Sequence, residues 1–485
     1  MYRISPAARV RGIFLIALLM NTLVCAVAAP DSPAAGGPLS QLNALAPSPK
    51  MLVLLAATLF AVTGIWLLIR RKTRLLLGLI GLGALAAMTL GVHEFRQRYP
   101  HQAVFNLQRL GDGAAILLGT DMRLSRYQPE PVLVVEREKR ERAAFPAIDV
   151  HFHLESLDPS ITPERLVQAM DAAGIAQVVN LGGTPGEFER FTSTFAARYP
   201  DRFIMFVKPN FGAALQRKNG AAEQVKWVEQ AAAMGARGLK VSKSLGMGQR
   251  DSDGRIAPVD DPRLDPIWAR AGELGMPVLI HTSDTPAFFN APDGRNERYE
   301  EIIGNPAWSR YGKLPSHEEL LAQRDRVIAR HPGTVFIGAH MGMSEDNLAE
   351  VAARLDRYPN YYVDMAAVVH ALGRQPVTAR RFFIKYQDRI LFSTDGGYGL
   401  VKQEPGWTAE RLFRSYIEFL ETANEYVEYP MWGAHNQGRW RIYGLDLPDD
   451  VLEKIYVRNS ERIIPTAAIV AQRLAGGDPV AGAAP

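Results

Sequence analysis

The sequence predicts an α/β fold, namely a (β/α)8 barrel (a TIM barrel) preceded by an N-terminal membrane segment. From residue 147 onward, short apolar runs alternate with stretches that carry helix-capping signals. Eight such units in about 320 residues match the size of a (β/α)8 barrel. Before them, the first 98 residues contain charge-free apolar stretches that are long enough to cross a bilayer.

The segment 1–29 is predicted to be a signal peptide or a first membrane helix. Arg3, Arg9 and Arg11 precede an apolar run that ends in small residues before Pro30. That order is typical of a secretory signal. An uncleaved membrane helix is the alternative interpretation.

Two further apolar runs, residues 51–69 and 75–92, contain no charged residue. Each is therefore predicted to be a transmembrane helix. The basic turn at 70–74 between them is expected on the cytoplasmic side. The three segments together predict a protein of the inner (cytoplasmic) membrane, whose large domain faces the periplasm or the cell exterior.

The positive charge of the chain belongs to this N-terminal segment. Residues 1–98 contain ten Lys or Arg and two acidic residues, which leaves 45 basic and 49 acidic residues in the remainder. This distribution favours membrane topology and argues against a nucleic-acid partner. Because Cys25 is the only cysteine, the chain cannot form an internal disulfide or a thiolate metal site.

The remainder is predicted to contain three parts. Residues 93–145 form a linker that packs on the barrel, residues 146–465 form the barrel, and residues 466–485, rich in Ala, Gly and Pro, form a flexible tail. The predicted strands are 147–153, 177–182, 203–209, 238–243, 277–282, 334–340, 361–367 and 390–395.

Helix signals fall between these strands. Thr162 and Pro163 provide a capping residue and a first-turn proline. Asp265 and Pro266 open a second helix, and Ser316 begins a capping box. An open doubly wound sheet is the alternative, but the first strand is not followed by a glycine-rich nucleotide loop.

Histidine and aspartate residues stand at the ends of four predicted strands. They are His151 and His153 in IDVHFH, His281 in PVLIHT, His340 in VFIGAH and Asp395 in LFSTDG. The active site of a (β/α)8 barrel lies at the C-terminal ends of its strands. Imidazoles together with one carboxylate suit a divalent metal such as zinc.

We expect His151, His153, His281 and Asp395 to hold one metal that activates water for attack on a small-molecule substrate. Asp395 is the predicted proton acceptor and donor. His340 is predicted to hydrogen-bond the nucleophile or to polarise the scissile carbonyl, although geometry can exchange the roles of His281 and His340.

Three cationic residues are further candidates. Lys240 and Lys243, in GLKVSK on the fourth strand, can pair with an anionic substrate group, or one of them can be carboxylated and bridge two metals. Because they are three residues apart, they cannot both point inward. Arg298 is a candidate carboxylate clamp, with an ordinary loop-packing salt bridge as the alternative.

In combination, IDVHFH, GLKVSK, PVLIHT, VFIGAHMG and ILFSTDGG, closing with Asn459-Ser460-Glu461-Arg462, resemble the amidohydrolase-related TIM-barrel metal-dependent hydrolases (amidohydrolase family 2). The resemblance covers residues 147–465. It implies that His151, His153, His281 and Asp395 bind the metal, commonly one zinc, and that His340 is the catalytic partner. The family's soluble members lack the N-terminal membrane module.

Three functions compete at this stage. The leading hypothesis is metal-dependent hydrolysis of an amide, lactone or ester. The first alternative is a non-oxidative decarboxylase, which requires a cationic clamp such as Arg298 or Lys240 in the pocket. The second is a membrane-anchored binding module without activity, because fold alone does not establish function. The sequence leaves open whether the chain forms a homo-oligomer.

Overall fold

The computed structural model describes residues 132–157, 161–313, 315–397, 409–427 and 440–475. The chain divides into two units, Met1–Val132 and Leu133–Pro485. The predicted membrane segments 1–29, 51–69 and 75–92 lie outside the described residues. Within the described part of the chain, no helix is long and apolar enough to span a membrane.

Eight parallel strands form one sheet in sequential order. They are β1 Ala147–Phe152, β2 Ile175–Asn180, β3 Phe203–Val207, β4 Ala236–Val241, β5 Val278–Ile280, β6 Phe336–Gly338, β7 Tyr361–Asp364 and β8 Ile390–Leu391. The last strand returns to the first, because Val150 N donates to Phe392 O (3.0 Å) and Asp395 N donates to His151 O (3.0 Å). The sheet is therefore a nearly closed barrel, which confirms the (β/α)8 part of the predicted fold class.

Helices follow the strands in the alternation that the sequence predicts. They are α1 Pro163–Ala173, α2 Pro185–Phe191, α3 Phe211–Gln216, α4 Gly220–Ala233, α5 Asp265–Glu273, α6 Tyr299–Gly304, α7 His317–Arg330, α8 Leu348–Arg357, α9 Val369–Leu372, α10 Pro376–Lys385, α11 Ala409–Glu421, α12 Asp449–Glu453, α13 Asn459–Ile463 and α14 Ala467–Leu474. Two further short segments, Ser244–Met247 and Ala339–Met343, contain non-helical dihedral angles and are turns.

The capping residues expected from the sequence fix the helix ends. The Thr162 side chain accepts a hydrogen bond from Arg165 N at the start of α1, and Gly174 ends that helix with φ +76°. The Ser316 side chain accepts from Glu319 N (3.2 Å) at the start of α7. Each cap satisfies a backbone group that the helix cannot pair internally.

Two apolar layers hold the barrel together. Inward residues of seven strands fill the interior, among them Val150, Phe206 and Leu391. The opposite faces of the strands pack under the helices, where Trp268 is fully buried. On β4, Leu239 and Val241 belong to the outer layer, so the alternation of a strand places Lys240 on the inner face.

The C-terminal segment 466–485 differs from the flexible tail that its composition predicts. Residues Ala467–Leu474 form α14, which contacts α4 and β4. Val470 is 1% exposed, and burial of this apolar side chain holds the helix on the barrel. The remaining residues of the predicted tail, from 476 onward, lie outside the described residues.

Replacing Gly220 at the start of α4 should destabilise the barrel. A Cβ there would lie 2.1 Å from Ala213 O and 2.8 Å from Ala214 Cα, so the backbone would have to move. We expect Gly220→Ala to lower the free energy of unfolding by about 1–3 kcal/mol, measured by urea unfolding with tryptophan fluorescence. Gly186→Ala, in α2, is the matched control because its Cβ meets no described heavy atom within 4 Å. Equal unfolding midpoints for the two variants would contradict this packing.

Candidate metal centre

His151, His153 and Asp395 converge at the C-terminal mouth of the barrel. Nε2 of His151 lies 3.2 Å and Nε2 of His153 lies 3.3 Å from Asp395 Oδ1. One donor atom from each residue lies within 4.8 Å of the other two. Two imidazole nitrogens and a carboxylate oxygen at this spacing are a suitable partial ligand set for a divalent cation.

His281, which directly follows β5, lies beside this group. Its ring centroid is 4.4 Å from that of His340, and the His340 ring is 4.9 Å from that of His151. Nε2 of His281 is buried and has no hydrogen-bond partner among the described residues. Since a buried polar atom without a partner is costly, this nitrogen fits the role of a further metal ligand.

The titration of these groups is consistent with metal binding. Burial lowers the pKa of His281 well below its usual value, and burial together with nearby Lys240 does the same for the pKa of His151. Burial alone would raise the pKa of Asp395, but His151 and His153 hold it well below its usual value. His151 and His281 are therefore neutral and Asp395 is ionised, which are the forms that bind metals. Burial alone would lower the pKa of His153, but its hydrogen bonds to Asp395 and Glu155 raise it, so a metal that binds there displaces a proton.

Two carboxylates orient His151, on β1, and His153, which directly follows β1. His151 donates from Nδ1 to Asp364 Oδ2 (2.8 Å), and His153 donates from Nδ1 to Glu155 Oε1 (2.6 Å). A proton on Nδ1 leaves the Nε2 lone pair available to a metal, and such partners raise the basicity of the ring.

Neither carboxylate is among the site residues that the sequence predicts. Asp364 ends the apolar run YYVD and Glu155 follows His153 by two residues. Asp364 could have been found from the sequence, because it follows the apolar run of a predicted strand as Asp395 does. A second cluster, His151, His340 and Asp364, also has closely spaced donor atoms, but its His151–Asp364 contact is the orienting hydrogen bond.

Asp149 joins the first and last strands beneath the site. It is fully buried, and its Oδ1 accepts from His151 N (3.1 Å) and Thr394 N (3.1 Å). Its Oδ2 accepts from Thr394 Oγ1 (2.5 Å). Burial raises the pKa of Asp149 to about 7. These bonds fix the backbone next to Asp395, whose own φ is +60°.

His340 lies on a left-handed turn rather than on a strand. The predicted strand 334–340 ends at Gly338 in the structure, and φ is +56°, +53°, +64° and +60° at His340, Met341, Gly342 and Met343. Each non-glycine residue in this conformation costs about 1–2 kcal/mol, so surrounding contacts must hold the turn. His340 N donates to Asp364 Oδ1 (2.8 Å), and Nδ1 donates to Ala366 O (2.8 Å).

Of the two lysines in GLKVSK, the structure brings Lys240 to the histidines. Lys240 is 4% exposed, and its Nζ lies 3.2 Å from His151 Nε2. Burial lowers the pKa of Lys240 to about 8, which leaves it mostly protonated at neutral pH. Lys243 instead forms an ion pair with Asp284, which also accepts from Arg310 Nε (2.8 Å).

Arg298 lies in the loop between β5 and α6, and the structure places it in a packing network. Its Nε donates to Glu301 Oε2 (2.5 Å) and its Nη1 donates to His370 Nε2 (2.9 Å). The side chain is 4% exposed. These contacts match the loop-packing salt bridge that the sequence left open, and they tie the loop after β5 to α9.

A cavity of about 490 Å³ opens between the loops that follow β5, β6 and β7. Its walls are mostly polar and include Asn296, Glu297 and Arg374. Arg374 closes one side through paired bonds to Glu297 (2.9 and 3.0 Å). The candidate metal ligands are not among the described lining residues, so this cavity is distinct from the metal centre itself.

Solved structures of other proteins resemble the chain at low sequence identity. An uncharacterised TIM-barrel protein from Bordetella bronchiseptica is 17% identical, with a TM-score of 0.41, over 67% of this chain and 99% of that one. The 2,6-dihydroxybenzoate decarboxylase from Rhizobium is 16% identical, with a TM-score of 0.40, over 66% and 98%. A dihydroxybenzoic acid decarboxylase from Polaromonas with bound manganese is 16% identical, with a TM-score of 0.40, over 68% and 97%.

No curated protein sequence matches the chain. A family profile described as amidohydrolase matches residues 148–466. The match begins in β1 and ends just after α13, so it spans the whole barrel and every candidate ligand. It confirms the resemblance seen in the strand-end motifs. The chain belongs to the amidohydrolase family.

Proposed function

We propose that the chain is a metal-dependent hydrolase that cleaves an amide, lactone or ester bond in a small-molecule substrate. The observation that carries the proposal is the convergence of His151 Nε2 and His153 Nε2 on Asp395 Oδ1, at 3.2 and 3.3 Å. The unpartnered Nε2 of His281 completes a ligand set of three imidazoles and one carboxylate. Zinc, at one ion per chain, is the metal that this set suits best.

A divalent metal held there would act as a Lewis acid that lowers the pKa of bound water and polarises a carbonyl. The residues supply the remaining chemistry. Asp395 is ionised and can accept a proton from the attacking water and return it to the leaving group. His340 uses Nδ1 to donate to Ala366 O, so its Nε2 is the ring atom available to the substrate.

Lys240 favours decarboxylation as a second candidate. Its buried ammonium lies 3.2 Å from His151 Nε2 and is a cationic partner for a substrate carboxylate. Arg298, the other clamp considered, is engaged with Glu301 and His370, and this engagement supports the hydrolase over the decarboxylase. If a carboxylated lysine bridges two metals, Lys240 is the candidate, because it is the lysine that lies beside the histidines.

The proposed location is the inner membrane, with the barrel on the periplasmic or outer side. The support is the sequence alone: the charge-free runs 51–69 and 75–92 and the basic turn between them. Anchoring would confine the hydrolase to substrates that reach the membrane surface.

Metal content tests the ligand set. We expect about one zinc ion per full-length chain by mass spectrometry, and loss of that zinc in His151→Ala and in His153→Ala. His331→Ala is the control, since His331 pairs with Asp265 (3.0 Å) away from the barrel mouth. Two ions per chain would instead favour a lysine-bridged site, and an empty protein after zinc reconstitution would favour the binding module.

Turnover tests the role of Asp395. Asp395→Asn removes the proton acceptor, and we expect kcat to fall by about 10²–10⁴-fold on whichever of para-nitrophenyl acetate, dihydrocoumarin and salicylate the wild type converts. Asp388→Asn is the control, because Asp388 lies just before β8, at its opposite end from Asp395, and pairs with Lys454 (3.0 Å). Wild-type turnover by Asp395→Asn would refute the assignment. Release of carbon dioxide from salicylate, without hydrolysis of the esters, would select the decarboxylase.

A further inference from the structure

A buried arginine on α7 contacts the left-handed turn that contains His340. Arg324, on α7, is fully buried, and its Nη1 donates to Gly342 O (2.6 Å). Gly342 is two residues after His340 and belongs to the same turn. A buried guanidinium is costly unless its donors are paired, so this bond to the turn is part of how Arg324 is accommodated.

The remaining donors of Arg324 fix its position. Nε and Nη2 donate to Asp325 Oδ1 at 3.0 and 2.8 Å. Asp325 Oδ2 accepts in turn from Arg354 Nε on α8 (2.9 Å). The guanidinium also lies over the Tyr361 ring, 5.3 Å from its centroid. Asp325 and the Tyr361 ring therefore hold the guanidinium in place, and Nη1 is the atom that reaches the turn.

The turn has little room to relax toward α7 and β7. A Cβ at Gly342 would lie 2.3 Å from the Tyr361 hydroxyl oxygen and 3.1 Å from Arg324 Nη1. A Cβ at Gly338, just before the turn, would lie 1.9 Å from the same hydroxyl. This close approach brings the carbonyl oxygen of Gly342 within hydrogen-bond distance of Arg324 Nη1.

We infer that Arg324 is a positioning residue that acts through the turn to place the His340 ring in the site, an inference that rests on the proposed role of His340. Asp364 and Ala366 hold the start of the turn and the ring. Arg324 holds the end of the turn. Without it, the left-handed residues after His340 lose the contact that opposes their return to ordinary dihedral angles.

The first test reads the turn directly. In the full-length chain, Arg324→Lys keeps the charge but cannot bind Asp325 and Gly342 O through one planar fork. We expect the peptide that spans residues 339–344 to exchange its amide hydrogens at least about 10-fold faster than in the wild type. Arg354→Lys is the matched control, because it also contacts Asp325 but does not touch the turn. Wild-type exchange in Arg324→Lys, or equal acceleration in both variants, would overturn the inference.

The second test reads the coupling to His340. With the substrate that the wild type converts best among the three named above, Arg324→Lys should lower kcat by about 10- to 100-fold and change KM by less than about 3-fold. In a His340→Asn background the same change should alter kcat by less than about 2-fold. Equal effects in both backgrounds would mean that Arg324 does not act through His340. Wild-type kcat in His340→Asn alone would refute the proposed role of His340, while the exchange comparison would still decide the role of Arg324 in the turn.

Discussion

The site depends on the hydrogen bonds that the buried carboxylate of Asp364 accepts. Its Oδ2 accepts from His151 Nδ1, and its Oδ1 accepts from the backbone N–H groups of His340 and Ala366. A carboxylate without exposure must be fully hydrogen-bonded to be tolerated in a protein interior. That requirement links His151 on β1, a candidate metal ligand, to His340 after β6, the proposed catalytic partner, and to the strand β7 that lies next to β6.

Similar buried acceptors recur around the mouth of the barrel. Asp149 joins the backbone of β1 to that of the segment after β8. Asp395 and His340 both adopt positive φ in the segments that follow β8 and β6. Strained backbone of this kind persists when surrounding contacts determine it and is concentrated at functional sites. The hydrogen bonds of Asp364 to His340 N and of Asp149 to Thr394 N thus hold the backbone at and beside these strained residues.

Much of the architecture could be predicted from the sequence, because buried parallel strands are continuous apolar runs and because the helix caps have specific residues. The strand-end motifs also predicted His151, His153 and Asp395 as metal ligands, and the structure brings these three residues together. The role of Asp364 could not be predicted, since it depends on which groups the closed barrel brings to its oxygens. The left-handed turn could not be predicted either. Glycine is the usual sequence sign of positive φ, and Gly342 is the only glycine among the four positive-φ residues of the turn. Arg298 could equally serve substrate or loop packing until the loop conformation showed its partners.

The most direct test of this account is the zinc affinity of Asp364→Asn, measured by competition with a chelator. The asparagine amide can still accept from His340 N with its oxygen, but its NH2 group would face His151 Nδ1 and favour a proton on Nε2. We expect zinc affinity to fall by about 10- to 100-fold, while Asp356→Asn, whose carboxylate accepts from the Tyr386 hydroxyl (3.0 Å), retains wild-type affinity. Unchanged zinc affinity in Asp364→Asn would contradict the claim that this carboxylate organises the candidate metal centre.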